Sequence, residues 1–232
     1  MGRPLYEDPA VAAVTGETLR PGGFMLTDRS VGLCALPPGA RVADIGCGNG
    51  ATVRRLRERF GLAAVGFDAS LSMLRKAPPG GLVVQGRAEA LPVVSGSMAA
   101  VFCECVLSLV PSPAEALREC RRVLAPEGFL ILADLYQRFP AEAGMPGEHG
   151  ASCAAGARSR PDMERCVRDK GFALMRWEDH TRLLKELAAR IVFAHGSLDR
   201  FWTHVGLNGP PGDCCGRPGY GLMICRKAGP ER

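Results

Sequence analysis

The 232-residue sequence predicts an α/β chain in which a mostly parallel sheet is covered on both faces by helices. Three observations carry that expectation: short, continuously apolar, β-rich runs from Arg41 onward, helical periodicity between them, and glycine or proline clusters at the joints. A strand that is apolar on every residue must be buried on both sides, and parallel strands joined by crossover helices are buried in that way.

The elements follow in order. Arg41 to Ile45 is the first strand; a glycine cluster ends it, and Val53, Leu56 and Phe60 then recur at helical spacing. Leu62 to Phe67 is the second strand, closed by Asp68, with a helix over Ser70 to Lys76 and a third strand at Leu82 to Val84. Met98 to Cys105 is the fourth. Ser112-Pro113-Ala114-Glu115 then has the form of a capping box, with Ser112 as N-cap and Pro113 at the first helical position, opening a helix to about Leu124. Ala125 to Gly128 stops that helix, and Phe129 to Ala133 is a central buried strand. Tyr136 to Arg158 is a long aperiodic connection, a length that points to function or mobility. Pro161 to Lys170 reads as a helix and Phe172 to Trp177 as a strand. Leu183 to Val192 is an amphipathic helix that His195-Gly196 ends, with a shorter helix through Phe201 and Trp202 after it. Tyr220 to Cys225 is the last strand.

Composition narrows the function classes. Apolar residues make up 47% of the chain and charged ones 23%, which excludes a disordered segment and suits one domain. Twenty-nine basic against 24 acidic residues leave a charge of only +5, and no apolar run is long enough to span a membrane, so neither a nucleic-acid nor a membrane partner is expected. Arg54, Arg55, Arg57 and Arg59 read as the solvated face of the first core helix rather than a nucleic-acid stripe, because no aromatics interleave with them. The ten cysteines lack paired CxxC spacing, so no metal site is expected. With no basic region and apolar core at the N-terminus, mostly free thiols in a cytoplasmic setting are the expectation.

The sharpest local signal is Val42-Ala43-Asp44-Ile45-Gly46-Cys47-Gly48-Asn49-Gly50, a strand entering a glycine turn before a helix. Gly46-x-Gly48-x-x-Ala51, with Asp68 at the distance of a ribose-binding acid, also satisfies the looser dinucleotide fingerprint. Asp44 favours another ligand. A carboxylate two residues from the turn is a poor neighbour for pyrophosphate and suits an ammonium or sulfonium group.

Asp44, Gly46, Gly48 and Gly50 together resemble the Asp-x-Gly-x-Gly-x-Gly loop of the class I S-adenosylmethionine-dependent methyltransferases. The resemblance continues in order to about Asp134. It implies that Asp68 binds the ribose hydroxyls and that Ala69 and Met73 flank the adenosine. Gly86-Arg87-Ala88-Glu89-Ala90-Leu91-Pro92 looks like that family's Asp-Ala-Glu-x-Leu-Pro segment at the adenine edge. Arg87 replaces the usual acid and, having donors only, cannot accept the adenine amino hydrogens; the Ala88 amide is left for the adenine edge. Glu104 and Cys105 fall beside the methionine portion, and Cys47 lies within the glycine loop. Arg122 to Gly128 is similar to the hinge before the fifth strand.

The family likeness implies a Rossmann-like three-layer sandwich with a seven-stranded sheet, an antiparallel last strand and a helical insertion between strands 6 and 7. It also implies three regions: 1–39 as a substrate or cap segment, 40–135 as the cofactor core, and 136–232 as substrate-side elements. The expected function is methyl transfer from S-adenosylmethionine to a small-molecule acceptor, by a monomer or homodimer. A noncatalytic sensor or scaffold and a nicotinamide-dependent oxidoreductase are the alternatives. Arg20 and Thr27, in a loop-like stretch ahead of the core, are candidate substrate contacts, although a solvated Arg20 is the default. His149 in the long connection joins them, as do Cys153, Cys214 and Cys215, which would suit a thiol or metalloid acceptor. His180, His195 and His204 read as packed or solvent-facing residues of the helical insertion.

Overall fold

The computed structural model describes residues 4–138, 156–204 and 218–229. Its strands are β1 (Arg41–Ile45), β2 (Ala63–Asp68), β3 (Val83–Gln85), β4 (Met98–Glu104), β5 (Leu124–Gln137), β6 (Arg158–Ser159), β7 (Phe172–Asp179) and β8 (Pro218–Lys227). The helices are α1 (Pro9–Thr15), α2 (Met25–Leu33), α3 (Ala51–Phe60), α4 (Leu71–Leu74), α5 (Pro113–Val123), α6 (Arg160–Asp169), α7 (Thr181–His195) and α8 (Leu198–His204). One sheet runs in the order β3-β2-β1-β4-β5-β8-β7. Strand β8 is antiparallel to both neighbours, and the other pairs are parallel.

Side-chain alternation builds the layers. Ala43, Ile45, Val101, Cys103, Leu130 and Leu132 face one way, against Leu117 and Val123 of α5 and Met163 and Val167 of α6. Their neighbours Val42, Ala64, Ala100, Phe102, Ile131 and Ala133 face the other way, against Leu26 and Val31 of α2, Val53 and Leu56 of α3 and Leu183 of α7. The two-residue period of a strand thus divides a continuous apolar run between two cores.

Several expectations change. Seven strands become eight, because Arg158–Ser159 pairs with Tyr136 and Gln137 at the end of β5. The helix expected over Ser70 to Lys76 is a single turn, α4, capped by the Ser70 hydroxyl accepting from the Met73 amide. Strand β5 extends well beyond Phe129 to Ala133. Its pairing with β4 passes from Leu124 to Phe129 around a bulge in which Glu127 has φ of 60°. Helix α5 starts at Pro113 as expected, but the Ser112 hydroxyl makes no capping bond and Glu115 pairs with Arg118 instead. The stretch from Met25 to Thr27 opens α2 rather than continuing a loop. The arginines of α3 are not simply solvated: Arg54 pairs with Glu17, and Arg55 and Arg59 with Asp28. Of the α7 stripe, Leu183 and Ile191 are buried, the second against Val11 and Phe201.

Candidate functional site

The strand order reverses between β1 and β4, and such a reversal leaves a crevice outside the carboxyl ends of the two strands. A cavity of about 380 Å³ fills it, a size in the range of small-molecule sites. All twelve residues expected at a cofactor line it: Asp44, Gly46, Cys47, Gly48, Asp68, Ala69, Met73, Arg87, Ala88, Glu89, Glu104 and Cys105.

The glycine loop is shaped by close approach. Gly46 has φ of 70°, and a Cβ there would lie 2.2 Å from the Val106 Cγ2, so a side chain would clash with the loop after β4. Asp68 anchors the turn: its Oδ2 accepts from the Gly48 amide at 2.8 Å and its Oδ1 from the Ser70 amide at 2.8 Å. Both oxygens keep a lone pair for a ligand. Burial raises the Asp68 pKa against those two bonds.

Asp44 is 3% exposed, and its Oδ2 is buried with no hydrogen-bond partner. Burial, with the Glu104 charge beside it, pushes its carboxyl well above the usual range, while Arg20 pulls it down. A buried acceptor without a donor costs free energy, so this wall is complete only when a donor or cation arrives.

Arg20 is 6% exposed and sits inside the fold, not in solvent. Its Nε donates to the Gly23 carbonyl at 3.1 Å, Nη1 to Thr52 Oγ1 at 3.1 Å and Nη2 to Thr27 Oγ1 at 2.7 Å. Nη2 is also 3.0 Å from Glu104 Oε2. The Thr27 hydroxyl in turn donates a hydrogen bond to the Glu104 carboxylate. Arg20 is therefore paired with the protein's own carboxylate, supplied by Glu104 from β4. Thr27 is fully buried and does not line the cavity, because its hydroxyl is consumed between Arg20 and Glu104.

The remaining candidates fall elsewhere. His180 Nε2 lies 2.9 Å from Glu178 Oε2, and the His195 ring rests on Phe201 at 5.0 Å. Arg29 and Arg176 also pair with Glu178, holding its carboxyl below the usual range and fastening α2 to β7. His149, Cys153, Cys214 and Cys215 lie outside the described residues, as do the side chains of Trp202 and His204. Cys34, Cys47, Cys103, Cys120, Cys166 and Cys225 are free thiols.

Sequence reasoning missed one wall, made by Tyr6, Val11 and Glu17 to Leu19 before the core and by Val106 and Leu109 to Pro111 after β4. Asp8 accepts from the Ala10 amide ahead of Pro9, so a helix start at α1 was written in the sequence. The second part is held from behind by Asp134. This 2%-exposed residue accepts from the Ser108 hydroxyl at 2.7 Å, the Ser108 amide at 3.0 Å and the Leu135 amide at 2.8 Å. Burial pushes its carboxyl up to about 6 against those bonds.

A pH effect follows. Between the ordinary carboxylate value and about 6, folded Asp134 holds a proton that the unfolded chain has lost, so its contribution to stability falls as pH rises. Asp134→Asn is expected to flatten the loss of stability between pH 4 and 6 by up to ~1.4 kcal/mol per pH unit. Urea titration of both proteins across that window measures it; parallel slopes would contradict the assignment.

Residues 43–132 match the protein family described as a methyltransferase domain. That match covers less than half of the chain and agrees with the resemblance to the class I S-adenosylmethionine-dependent methyltransferases. The matched segment runs from β1 into β5 and carries all twelve of the expected cofactor residues. An arsenite methyltransferase of Halobacterium salinarum is 28% identical over 152 residues, covering 60% of this chain and 38% of that protein. A 2-methyl-6-phytyl-1,4-hydroquinone methyltransferase of Synechocystis is 34% identical over 113 residues, covering 46% and 36%. The chain thus spans well under half the length of these two relatives. Among solved structures, the [4+2]-cyclase SpnF aligns with a TM-score of 0.71 at 22% identity, over 98% of this chain and 99% of that one. Phosphoethanolamine N-methyltransferase 2 of Haemonchus contortus, solved with S-adenosyl-L-methionine, aligns with a TM-score of 0.72 at 18% identity, over 95% and 56%. At those identities the structural likeness is one of fold.

Proposed function

We propose that the β1/β4 cavity binds S-adenosylmethionine and that the chain transfers its methyl group to a small-molecule acceptor. The observation that carries this reading is the partnerless Asp44 Oδ2, an acceptor waiting for a cationic donor. The cofactor's ammonium suits it, and a pyrophosphate does not. Asp68 is available to two ribose hydroxyls, Met73 and Ala69 to the adenosine faces, and the Gly46 to Gly48 turn to close backbone approach.

When bound, the cofactor supplies an electrophilic methyl group on a sulfonium leaving group. The chain's own task is alignment and exclusion of water. Glu104, held by Arg20 and Thr27, fixes the β4 end beside Cys105. Val106, Leu109, Val110 and Pro111 form a dry wall, braced by Asp134. We further read residues 1–232 as one methyltransferase domain built on a continuous sheet, working as a monomer or homodimer. Free thiols at Cys34, Cys47, Cys103, Cys120, Cys166 and Cys225 support a reducing, cytoplasmic setting.

Calorimetric titration with S-adenosylhomocysteine and with NAD tests the cofactor. Binding of the first alone is expected, and NAD binding alone would favour the oxidoreductase. Labelled methyl donor with a metabolite extract, supplemented with arsenite and a quinol because two relatives are named for such acceptors, tests transfer. Label should appear in a small molecule. Cofactor binding without any labelled product would favour the noncatalytic reading.

A further inference from the structure

The cavity extends beyond the twelve cofactor residues. Val106, Leu109, Val110 and Pro111 continue its wall from the β4 end, and Val11 and Leu19 add to it from the N-terminal segment. Both parts are held in place. Asp134 braces the first through the Ser108 hydroxyl and amide. Val11 is buried with Ile191 of α7 and Phe201 of α8 in an apolar cluster separate from the two sheet cores. Leu19 packs against that cluster with φ of 53°, a left-handed conformation that leucine rarely adopts. Six apolar side chains from two segments far apart in sequence thus line one cavity.

The charges around them limit what can bind. Five carboxylates line the cavity, those of Glu17, Asp44, Asp68, Glu89 and Glu104, against the two guanidiniums of Arg20 and Arg87. Each guanidinium already faces a carboxylate: Arg20 lies 3.0 Å from Glu104 and also donates to Gly23, Thr52 and Thr27, and Arg87 lies 3.6 Å from Glu89. No lysine or histidine is among the described lining residues. The sequence of the two internal segments outside the described residues, 139–155 and 205–217, adds one basic residue, Arg217, against Glu142, Glu148 and Asp213. An anionic acceptor would therefore lose its water among acids, with no uncommitted cation to receive it.

We propose that the methyl acceptor is an uncharged, largely apolar molecule, without a carboxylate, phosphate or sulfate group, and that the 106–111 loop and the 11–19 segment are the surfaces that select it. This rests on the S-adenosylmethionine reading above and narrows its small-molecule acceptor to one chemical class. The apolar wall supplies the attraction, since each methylene it takes from water is stabilising. The surplus of carboxylates supplies the discrimination, since it repels an anion that the wall alone would tolerate.

The test needs no known acceptor. The intact protein is incubated with methyl-labelled S-adenosylmethionine and a cell metabolite extract, and the labelled product is fractionated at pH 7. Label should enter an organic-soluble product that neither an anion nor a cation exchanger retains and that mild base does not release as methanol. Label in a water-soluble or retained product would overturn the proposal and leave the methyltransferase reading standing. So would label released as methanol, which marks the ester of a carboxylate acceptor. S-adenosylhomocysteine binding with no label transferred would overturn the transfer reading and this inference with it, and no binding would overturn the cofactor reading itself. Leu109→Arg, which puts a charge in the wall, should lower transfer by ~100-fold with S-adenosylhomocysteine still bound, whereas a merely structural role would lower binding and transfer together. Unchanged transfer in that variant would overturn the role of the wall, and if the variant does not fold, the wild-type product alone decides.

Discussion

Asp44→Asn should weaken S-adenosylhomocysteine binding by ~30-fold or more, the cost of losing one partner of a buried charge pair, while making the empty protein more stable. The two effects have one source. In the empty cavity the Asp44 carboxylate is buried among Glu104 and Asp68, with an oxygen that no donor reaches. Asparagine removes the buried negative charge, and about 1 kcal/mol is recovered, which raises the melting temperature by ~2–4 °C for a chain of this length. The gain should depend on pH. The folded-state pKa is raised, so folded Asp44 keeps a proton that the unfolded chain gives up, and stability falls as pH rises above the ordinary carboxylate value. The variant's advantage is therefore small near pH 4 and larger near pH 8. Scanning calorimetry at the two pH values, with and without ligand, reads both signs; an Asp44→Asn protein that is less stable when empty would show that Asp44 serves structure instead.

Arg20→Met should destabilise the fold by ~3–5 kcal/mol, because it leaves Glu104 buried without its counter-charge. Four donor contacts are lost together, to Gly23, Thr52, Thr27 and Glu104. The double variant Arg20→Met/Glu104→Gln, which removes both charges, should be more stable than Arg20→Met alone. Denaturant unfolding of the wild type, both single variants and the double variant gives the coupling directly. A cost below ~1 kcal/mol for Arg20→Met would place this pair in the energetic class of surface ion pairs. Because Glu17 to Arg20 line the cavity, the same substitution is expected to lower cofactor affinity as well.

The legible part of this molecule is the part in which local pattern and tertiary role coincide. Arg41–Ile45 reads as a strand because every residue from Val42 to Ile45 is buried on one sheet face or the other. Gly46 and Gly48 read as a ligand turn because both hold positive φ, and a Cβ on Gly46 would also strike the Val106 side chain. All twelve residues expected at the cofactor line one cavity for the same reason: they sit at the carboxyl ends of consecutive parallel strands. Arg20 was illegible. Its sequence neighbours Pro21, Gly22 and Gly23 describe a surface loop, and its partners Thr52 and Glu104 are brought to it only by folding. The pairing of Arg54 and Arg55 with Glu17 and Asp28 is hidden for the same reason, since a charged helix face looks alike whether water or a second segment covers it. Ser112 shows the reverse failure, a sequence with every mark of a capping box whose hydroxyl makes no capping bond because the Glu115 amide donates to the Ser112 carbonyl instead.

The most direct test of the central claim is a crystal structure of the wild-type protein with S-adenosylhomocysteine. The ligand is expected in the β1/β4 cavity, with its ammonium within hydrogen-bond distance, ~3 Å, of Asp44 and its ribose hydroxyls on Asp68. A ligand bound elsewhere, or in this cavity with Asp44 still unpartnered, would contradict the account.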